Sequence, residues 1–410
     1  MYKAFQDFYK EQSIKHMLLV EHNNELLSPP FATEKCKDYS KVFYKGEYID
    51  LALLPATSKT NAVAQIENSS WFIPYGIWDQ FNTVVELRDT TPYYHTLPFK
   101  GKGQFYSVAT DGKTAFSFPL GYEDTNFGLY IDGIIKTYEL PIKGKKLHMG
   151  TVYCNGRYWS MPRGDEPGYN TLLSFDGEQY QSYELDVDPN ITRKYTDIIV
   201  KGNTLYSLPF GETKGLNTIV EFDTETNTAT YHTINGVDFA KKYNCGVLLG
   251  DKIVAVPYGD EHANDSNWGL VFDTVTKETT QFDIQLNFGG KYRFRCGIEY
   301  NGYAYFFPSG TPSCPVIVID DQGYIVKDET FKGLIFGRPI IHKNHINVLA
   351  YHMETQEHFI FVFGDKLEVK RVTKIWNVSL LGIVLQYALM VILYPAVCIK
   401  NAMVTCLKHL

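Results

Sequence analysis

The chain has 410 residues, of which 15% are aromatic and only 21% are charged. That composition is typical of one large β domain with an extensive core, and it excludes an intrinsically disordered chain. The formal net charge of -7 argues against sequence-independent binding of phosphates as the main task, so we expect no nucleic-acid partner.

Residues 1–60 do not match the pattern that organises the rest of the chain. They open without the basic region and apolar run of a secretory signal peptide, so none is predicted. Residues 17–20 and 48–54 are rich in apolar side chains, and both are candidate strands. We predict an N-terminal segment, residues 1–60, that packs on the following domain or closes it, with residues 48–54 as the candidate closing strand.

From residue 71 onward a two-part motif recurs along the chain. Its first part is a short run of β-branched and aromatic residues that ends in Pro-x-Gly, as at residues 115–121. Its second part is another such run that usually ends in an acidic residue, as at residues 218–223. The prolines of the first part are Pro74, Pro119, Pro162, Pro209, Pro257 and Pro308. They return about every 45 residues, which is the spacing typical of propeller blades.

The residue types explain the motif. Runs of β-branched and aromatic residues form strands, and a proline ends a strand because it has no N–H group for the ladder. The glycine that follows allows a tight loop. Turn dipeptides such as Asp111-Gly112 and Asn155-Gly156 precede the first run and join it to an earlier strand as a hairpin. Each repeat therefore predicts four antiparallel strands, and a ring of such sheets buries both faces of each sheet.

A degraded last copy without Pro-x-Gly occupies residues 346–352 and 359–363. Together with the six proline-marked copies, it predicts an all-β fold, a seven-bladed β-propeller of four-stranded antiparallel blades over residues 61–375. In blade length and in the order of inner strand, turn and outer strand, the repeat resembles the kelch-like β-propellers. The resemblance implies the architecture and no functional residue, because the double glycine of kelch repeats is absent and propellers host many unrelated activities.

The loops carry the candidate binding residues. In a four-stranded blade, the loop after Pro-x-Gly and the loop to the next blade emerge on one face, which we name the Pro-x-Gly face. The first set of loops is acidic and aromatic, and the second set is basic. The predicted binding residues are Trp78, Tyr122, Tyr169, Tyr258, Lys194, Lys242, Lys291, Tyr292 and Arg293. Loops on a rigid scaffold often carry binding; the alternative is that acidic and basic loops side by side simply neutralise each other.

The sequence contains no recognisable catalytic motif. Residues 165–166 and 260–261 are acidic pairs of the kind that a glycosidase needs as acid and base, but neighbouring acids in a sequence point in different directions. The seven cysteines follow no metal-ligand spacing, and Cys245 and Cys296 take matching positions on equivalent inner strands. We predict no catalytic residue, no metal site and no cofactor.

The end of the chain is of a different kind. Residues 375–399 carry no charged side chain, and about 20 apolar residues are enough to cross a bilayer as a helix. Apolar residues would lie on all sides of that helix, so we predict a C-terminal hydrophobic helix in residues 376–410 that spans a membrane or docks on a partner subunit. Cationic residues flank the run on its N-terminal side, namely Lys366, Lys370, Arg371 and Lys374, and this predicts a cytoplasmic propeller.

These features predict a non-enzymatic propeller scaffold. It would bind a protein or glycan partner through the loops of one face, and its C-terminal helix would anchor it to a membrane or to a larger assembly. Two alternatives stay open. One is a carbohydrate-active enzyme with loop carboxylates at the channel mouth, and the other is a soluble structural component of a virion or another large complex.

Overall fold

The structure is a computed structural model. It describes residues 13–76, 81–99, 101–121, 126–212, 215–237, 239–259, 267–285, 293–310, 314–323, 325–328, 331 and 333–375. These residues form eight antiparallel sheets that follow one another along the chain, each of them one blade of a propeller.

The first four blades span residues 20–184. Blade 1 contains β1 Val20–His22, β2 Glu25–Ser28, β3 Lys41–Tyr44 and β4 Glu47–Asp50. Blade 2 contains β5 Thr60–Ile66, β6 Ser69–Pro74, β7 Thr83–Arg88 and β8 Thr91–Thr96. Blade 3 contains β9 Ala109–Thr110, β10 Ala115–Ser117, β11 Phe127–Ile131 and β12 Ile135–Glu139. Blade 4 contains β13 Val152–Cys154, β14 Arg157–Ser160, β15 Thr171–Phe175 and β16 Tyr180–Glu184.

The other four blades span residues 199–375. Blade 5 contains β17 Ile199–Lys201, β18 Thr204–Ser207, β19 Thr218–Asp223 and β20 Thr228–Thr233. Blade 6 contains β21 Val247–Leu249, β22 Lys252–Ala255, β23 Trp268–Asp273 and β24 Thr279–Asp283. Blade 7 contains β25 Phe294–Tyr300, β26 Tyr303–Pro308, β27 Val316–Ile319 and β28 Ile325–Asp328. Blade 8 contains β29 Leu334–Phe336, β30 Ile340–His342, β31 His345–His352, β32 His358–Phe363 and β33 Val369–Ile375.

The prediction of a seven-bladed propeller with a C-terminal helix is wrong, because the structure has eight blades. The four-stranded antiparallel blade itself is confirmed, and blade 8 adds a strand because its inner strand is split into β29 and β30, which both pair with β31. The additional blade is blade 1, which lies within residues 1–60. Residues 48–54 supply no strand to the last blade, since β4 pairs with β3 inside blade 1.

Blade 1 carries a copy of the motif in which alanine replaces glycine. Residues 28–32 read Ser-Pro-Pro-Phe-Ala, and residues 207–211 of blade 5 read Ser-Leu-Pro-Phe-Gly. Ala32 adopts the left-handed backbone (φ 59°) that Gly211 adopts in its own copy (φ 65°). The motif was therefore present in the sequence, but the glycine that marks it elsewhere is missing.

The Pro-x-Gly loops join neighbouring blades through two rows of main-chain hydrogen bonds. In the first row, Phe210 N–H donates to the Lys194 carbonyl (2.8 Å), and the Phe210 carbonyl accepts from Lys242 N–H (2.9 Å). In the second row, Gly211 N–H donates to the Arg193 carbonyl (3.1 Å). Similar bonds recur in several blades, so the loop that the sequence predicts to be a recognition element is also the joint between blades.

The core consists of apolar clusters between facing blades. Phe116 of blade 3 stacks on Phe175 of blade 4 with ring centroids 4.4 Å apart, and Trp159 of blade 4 contacts Phe222 of blade 5 at 5.5 Å. All four side chains are buried. Burial of each such side chain stabilises the fold by about 1.5–3 kcal/mol, which explains why the strands are aromatic on both faces.

The ring closes between blades 8 and 1 without a shared strand. Leu18, just before β1, forms a parallel β-bridge with Arg338 of blade 8. The N–H of Lys15 donates to Nε2 of His358 (3.1 Å). An apolar cluster that includes Leu19, Phe43 and residues of blade 8 fills the space between the two sheets. Residues 14–18 thus hold the first blade against the last.

The predicted tail, residues 376–410, lies outside the described residues. Ile375, the first residue of the uncharged run, is the last residue of β33 and is buried in the cluster between blades 8 and 1. In the part of the chain that the structure describes, no helix is long and apolar enough to span a bilayer. The helical segments described there are two short 3₁₀ turns, Glu34–Cys36 and Asp365–Leu367.

Candidate functional site

The central channel contains a cavity where the inner strands begin. Its volume is about 290 Å³. Five of its lining residues carry a charged group or a thiol, namely Asp197, Cys245, Arg295, Cys296 and Arg338. The loops that lead into the inner strands run along the Pro-x-Gly face. The cavity therefore lies at the end of the channel that opens on that face, and we treat it as the candidate site.

Two Cys-Gly pairs shape the channel wall. Cys245 and Cys296 are each followed by a glycine at which the neighbouring side chains come very close. A Cβ atom at Gly246 would lie 2.8 Å from Ile199, and one at Gly297 would lie 2.6 Å from Val247. Only glycine permits that approach, so the inner strands of adjacent blades pack tightly here.

Polar side chains at the starts of the inner strands tie each blade to the next. Thr196 donates from its hydroxyl to the Asn244 carbonyl (3.0 Å), and Asn244 donates from its amide to the Arg295 carbonyl (2.9 Å). Asn61 and Ser107 make the corresponding bonds between blades 2, 3 and 4. These bonds satisfy main-chain carbonyls in the wall and hold the lining side chains in fixed positions.

Asp197 is half-buried in the channel wall, two residues before β17 of blade 5. Burial raises its pKa to about 6, although the charge of Arg338 and main-chain N–H groups of Ile198 and Gly246 oppose the rise. The Ser207 hydroxyl donates to the Asp197 carbonyl (2.5 Å) and fixes the main chain at this residue. Asp197 can therefore change its protonation state near neutral pH.

Arg338 projects an exposed guanidinium into the channel. Its main chain is held by the bridge to Leu18. No hydrogen bond or ion pair of the Arg338 side chain to another described residue is found. Arg338 and Asp197 attract each other at longer range, and this attraction opposes the rise in the pKa of Asp197. A planar guanidinium in this situation can bind an incoming carboxylate or phosphate through two parallel hydrogen bonds.

The two channel cysteines are not activated nucleophiles. Burial raises the pKa of both thiols, that of Cys296 to about 11, so both are protonated at neutral pH. The Cys296 thiol donates to the Gly337 carbonyl at 3.7 Å. Both cysteines are free. They contribute shape to the channel rather than covalent chemistry.

A network of ion pairs lies on the Pro-x-Gly face beside blades 4, 5 and 6. Asp165 pairs with Arg163 (3.0 Å), with Arg193 (2.7 Å) and with Lys146. Arg193 also pairs with Glu212 at 2.7 Å. Burial alone would raise the pKa of Asp165, but the hydrogen bond from Arg193 and the charges of Arg163 and Arg193 hold it well below its usual range. Acidic loops of one blade therefore pair with basic loops of the next.

The three predicted cationic binding residues that the structure describes are buried. Lys194 and Lys242 have no exposed surface, and Arg293 is 1% exposed. Lys194 donates from Nζ to the Ile191 carbonyl (2.5 Å), and Lys242 donates to the Phe239 carbonyl. Burial lowers the pKa of Lys194 and of Arg293. These side chains hold the loops together from inside, and a direct role in binding stays a prediction.

The two predicted aromatic residues that the structure describes also have internal contacts. The Tyr169 hydroxyl and Nε2 of His148 are hydrogen-bonded at 2.7 Å, and the ring of Tyr258 packs on Phe210 with centroids 5.5 Å apart. The remaining predicted binding residues, Trp78, Tyr122, Lys291 and Tyr292, lie outside the described residues. The structure thus brings no cluster of the predicted residues together on an open surface that it describes.

The acidic pairs offer little for catalysis. Asp165 is fixed as a carboxylate by three cations, and Glu166 next to it is exposed. Residues 260–261 lie outside the described part. Within the described ranges, no group of three or more His, Cys, Asp and Glu side chains is placed to hold a metal ion.

Sequence reasoning missed Asp197 and Arg338. Asp197 lies just before the inner strand of blade 5, and Arg338 lies in the break between β29 and β30, the two parts of the inner strand of blade 8. Polar residues also stand at the start of other inner strands, namely Ser107, Thr196 and Asn244. A polar residue just before each inner strand was the signal that could have identified the channel lining. It was weak because these short strands have little periodicity of their own.

No protein-family model and no curated protein matches the chain. Solved structures with a similar fold include a catalytically inactive virginiamycin B lyase from Staphylococcus aureus with quinupristin, at 16% identity and a TM-score of 0.52. That match covers 71% of this chain and 91% of the lyase. Another is the dihydro-heme d1 dehydrogenase NirN in complex with DHE, at 7% identity, a TM-score of 0.53, and coverage of 89% and 75%. At these identities the likeness shows a β-propeller fold alone, and no match supports a kelch-like family.

Proposed function

We propose that this protein is a binding propeller that holds a carboxylate-bearing segment of a protein or glycan partner at the channel mouth on the Pro-x-Gly face. The observation that carries the proposal is the exposed guanidinium of Arg338 inside a concave, preformed site. Concave sites with a few fixed polar groups are the usual places for ligand recognition.

The local charge supports an anionic ligand. Cations outnumber carboxylates six to three among the described residues of the channel and the ion-pair network: Lys146, Arg163, Arg193, Lys241, Arg295 and Arg338 against Asp165, Asp197 and Glu212. The chain as a whole carries a net charge of -7. A local positive excess among these described residues would attract a partner's carboxylate and orient its approach.

A carbohydrate-active enzyme is the second candidate, and Asp197 is the observation that favours it. A carboxyl group with a pKa of about 6 can donate or accept a proton near neutral pH. Glycosidases need two opposed carboxyl groups, however, and Asp197 is the one carboxylate in the described lining of the cavity. Binding without hydrolysis is therefore the better supported function.

The test is a screen of the full-length chain on arrays of acidic glycans and peptides, followed by titration of the best ligand. Arg338→Gln should weaken binding about tenfold or more, because a charge-assisted bidentate contact is lost. Lys113→Gln, which removes an exposed cation from a turn of blade 3, is the matched control and should bind as the wild type does. Unchanged affinity of Arg338→Gln would contradict the proposal.

The same samples separate the two candidate functions. A binding propeller returns the glycan intact, whereas an enzyme releases shorter products that are lost in Asp197→Asn. Attachment of the propeller to a membrane or an assembly through residues 375–399 stays a prediction, because nearly all of these residues lie outside the described part of the chain.

A further inference from the structure

A second and larger cavity lies between blades 8 and 1. It is a groove of about 710 Å³ on the face opposite the Pro-x-Gly face. Its position follows from its lining, which includes Gly46 in the turn between β3 and β4 and Lys343 in the turn between β30 and β31. Such turns lie at the ends of the blades away from the Pro-x-Gly loops. The groove is therefore separate from the channel site.

The floor of the groove is apolar. Leu26 and Phe43 of blade 1 face Ile360 and Val362 of blade 8. The opposite side of β32 presents Phe361 and Phe363 to blade 7, where they pack in a cluster with aromatic rings such as Phe307. On the groove side the corresponding side chains are smaller, so the two sheets leave a gap.

The rim of the groove is cationic. Its charged lining residues are Lys45, Lys343, Lys370 and Arg371, against one carboxylate, Glu25. Lys343 pairs with Glu25 at 3.1 Å, and Lys370 pairs with Glu368 at 2.7 Å. Arg371 is exposed, and no ion pair to another described residue is found for it. Its strand position opposite Val362 places this guanidinium at the edge of the apolar floor.

We propose that this groove binds a small amphiphilic anion, with an apolar chain on the floor and a carboxylate at Arg371 and Lys343. Charge complementarity favours an anion at Arg371, because Lys45, Lys343 and Lys370 pair with Asp89, Glu25 and Glu368, whereas no ion pair of Arg371 to another described residue is found. The apolar floor favours a hydrocarbon body, since an apolar chain would cover the half-buried Leu26 and pack against Phe43 and Val362. The volume lies within the range of about 300–1,000 Å³ that is usual for small-molecule pockets.

The experiment is isothermal titration calorimetry of the full-length chain with decanoate, kept below the concentration at which it forms micelles. Decyltrimethylammonium has the same chain and the opposite charge, and butyrate has the same charge and a short chain. We expect one site for decanoate and binding weaker by about tenfold or more for each of the other two. Arg371→Gln and Lys343→Gln should each weaken decanoate binding about tenfold, whereas Lys113→Gln on the same face should not.

A variant with a larger side chain tests the role of the apolar floor of the groove. Val362→Phe places a ring in the groove, and it should abolish decanoate binding while the thermal unfolding midpoint stays the same or rises. Equal binding of decanoate to the wild type and to Val362→Phe would overturn the proposal, as would equal binding of decyltrimethylammonium. Binding of polyglutamate in the absence of decanoate binding would assign the groove to acidic protein segments and would also overturn it. Decanoate binding that is lost in Arg338→Gln and kept in Arg371→Gln would place this ligand in the channel, and it would also overturn the proposal.

Discussion

Leu18 forms a parallel β-bridge with Arg338, so the contact that closes the ring also positions the main chain of the channel arginine. The two residues come from opposite ends of the propeller. Any change that loosens residues 14–18 from blade 8 should therefore displace Arg338 as well. Stability of the ring closure and geometry of the candidate site are coupled in this fold.

The ring closure should be sensitive to acid. Burial lowers the pKa of His16 to about 4, and it also holds the pKa of His358 well below its usual value. An unfolded histidine takes up a proton below about pH 6.5. The stability from the neutral histidines is thus fully present above about pH 6.5 and is lost as the pH falls toward 4, by about 3 kcal/mol for His16 alone.

Urea unfolding at pH 7.5 and at pH 5.0 measures this effect. The wild type should lose several kcal/mol at the lower pH, and His16→Asn should lose less. The difference between the losses of the two proteins is the part of the pH dependence that comes from His16. An equal loss in the wild type and His16→Asn would show that His16 is not the group responsible.

The ionised Asp197 side chain should lower the unfolding free energy of the protein at neutral pH. Burial raises the pKa of Asp197 to about 6 in the folded protein, whereas it is about 4 in the unfolded chain. The folded protein is therefore most stable below about pH 4, where Asp197 is protonated in both states, and it loses stability as the pH rises through 6. Asp197→Asn should therefore stabilise the protein at pH 7.5 by about 1–3 kcal/mol and should have little effect at pH 4. The unfolding free energies of both proteins at the two pH values provide the comparison. Destabilisation at pH 7.5 would mean that attraction to Arg338 outweighs burial.

Replacement of Ala32 by glycine should stabilise the protein. Its left-handed backbone (φ 59°) costs an alanine about 1–2 kcal/mol, part of which is offset by the lower entropy of alanine in the unfolded chain. We expect Ala32→Gly to raise the unfolding free energy by about 0.5–1 kcal/mol. The reverse change at the equivalent position, Gly211→Ala, should lower it by a similar amount. If both variants change stability in the same direction, the two loops are not equivalent.

Reversal of the charge at Lys242 should destabilise the protein. The sequence places Lys242 in a loop as a predicted binding residue, but its side chain is fully buried. Lys242→Glu would place a carboxylate next to the Phe239 carbonyl, and we expect a loss of at least about 3 kcal/mol in unfolding free energy. Lys113→Glu, at an exposed site, should change it by no more than about 0.5 kcal/mol. A Lys242→Glu protein of wild-type stability would mean that this loop opens easily.

Much of the fold could be predicted because the motif is local. Proline ends a strand and glycine permits a left-handed turn whatever lies nearby, so Pro74 or Pro209 marks the end of a second strand from sequence alone. The candidate site could not be predicted in the same way. Lys194 and Lys242 look like exposed loop cations until the neighbouring blade covers them, and Arg338 looks unremarkable until it is found in the channel.

The sequence by itself determined the repeating unit, a four-stranded blade of about 45 residues, because strand, turn and proline signals act over a few residues. Only the tertiary structure decided that the ring has eight blades. That number depends on whether residues 20–50 pack between blades 8 and 2, and on whether Ala32 accepts a conformation that usually needs glycine. The chain adopts it because the hydrogen bonds of the inter-blade joint hold it there, with Ser58 N–H donating to the Ala32 carbonyl at 2.7 Å. Burial, charge pairing and the two cavities likewise arise from residues that are distant in sequence, and no local pattern specifies them.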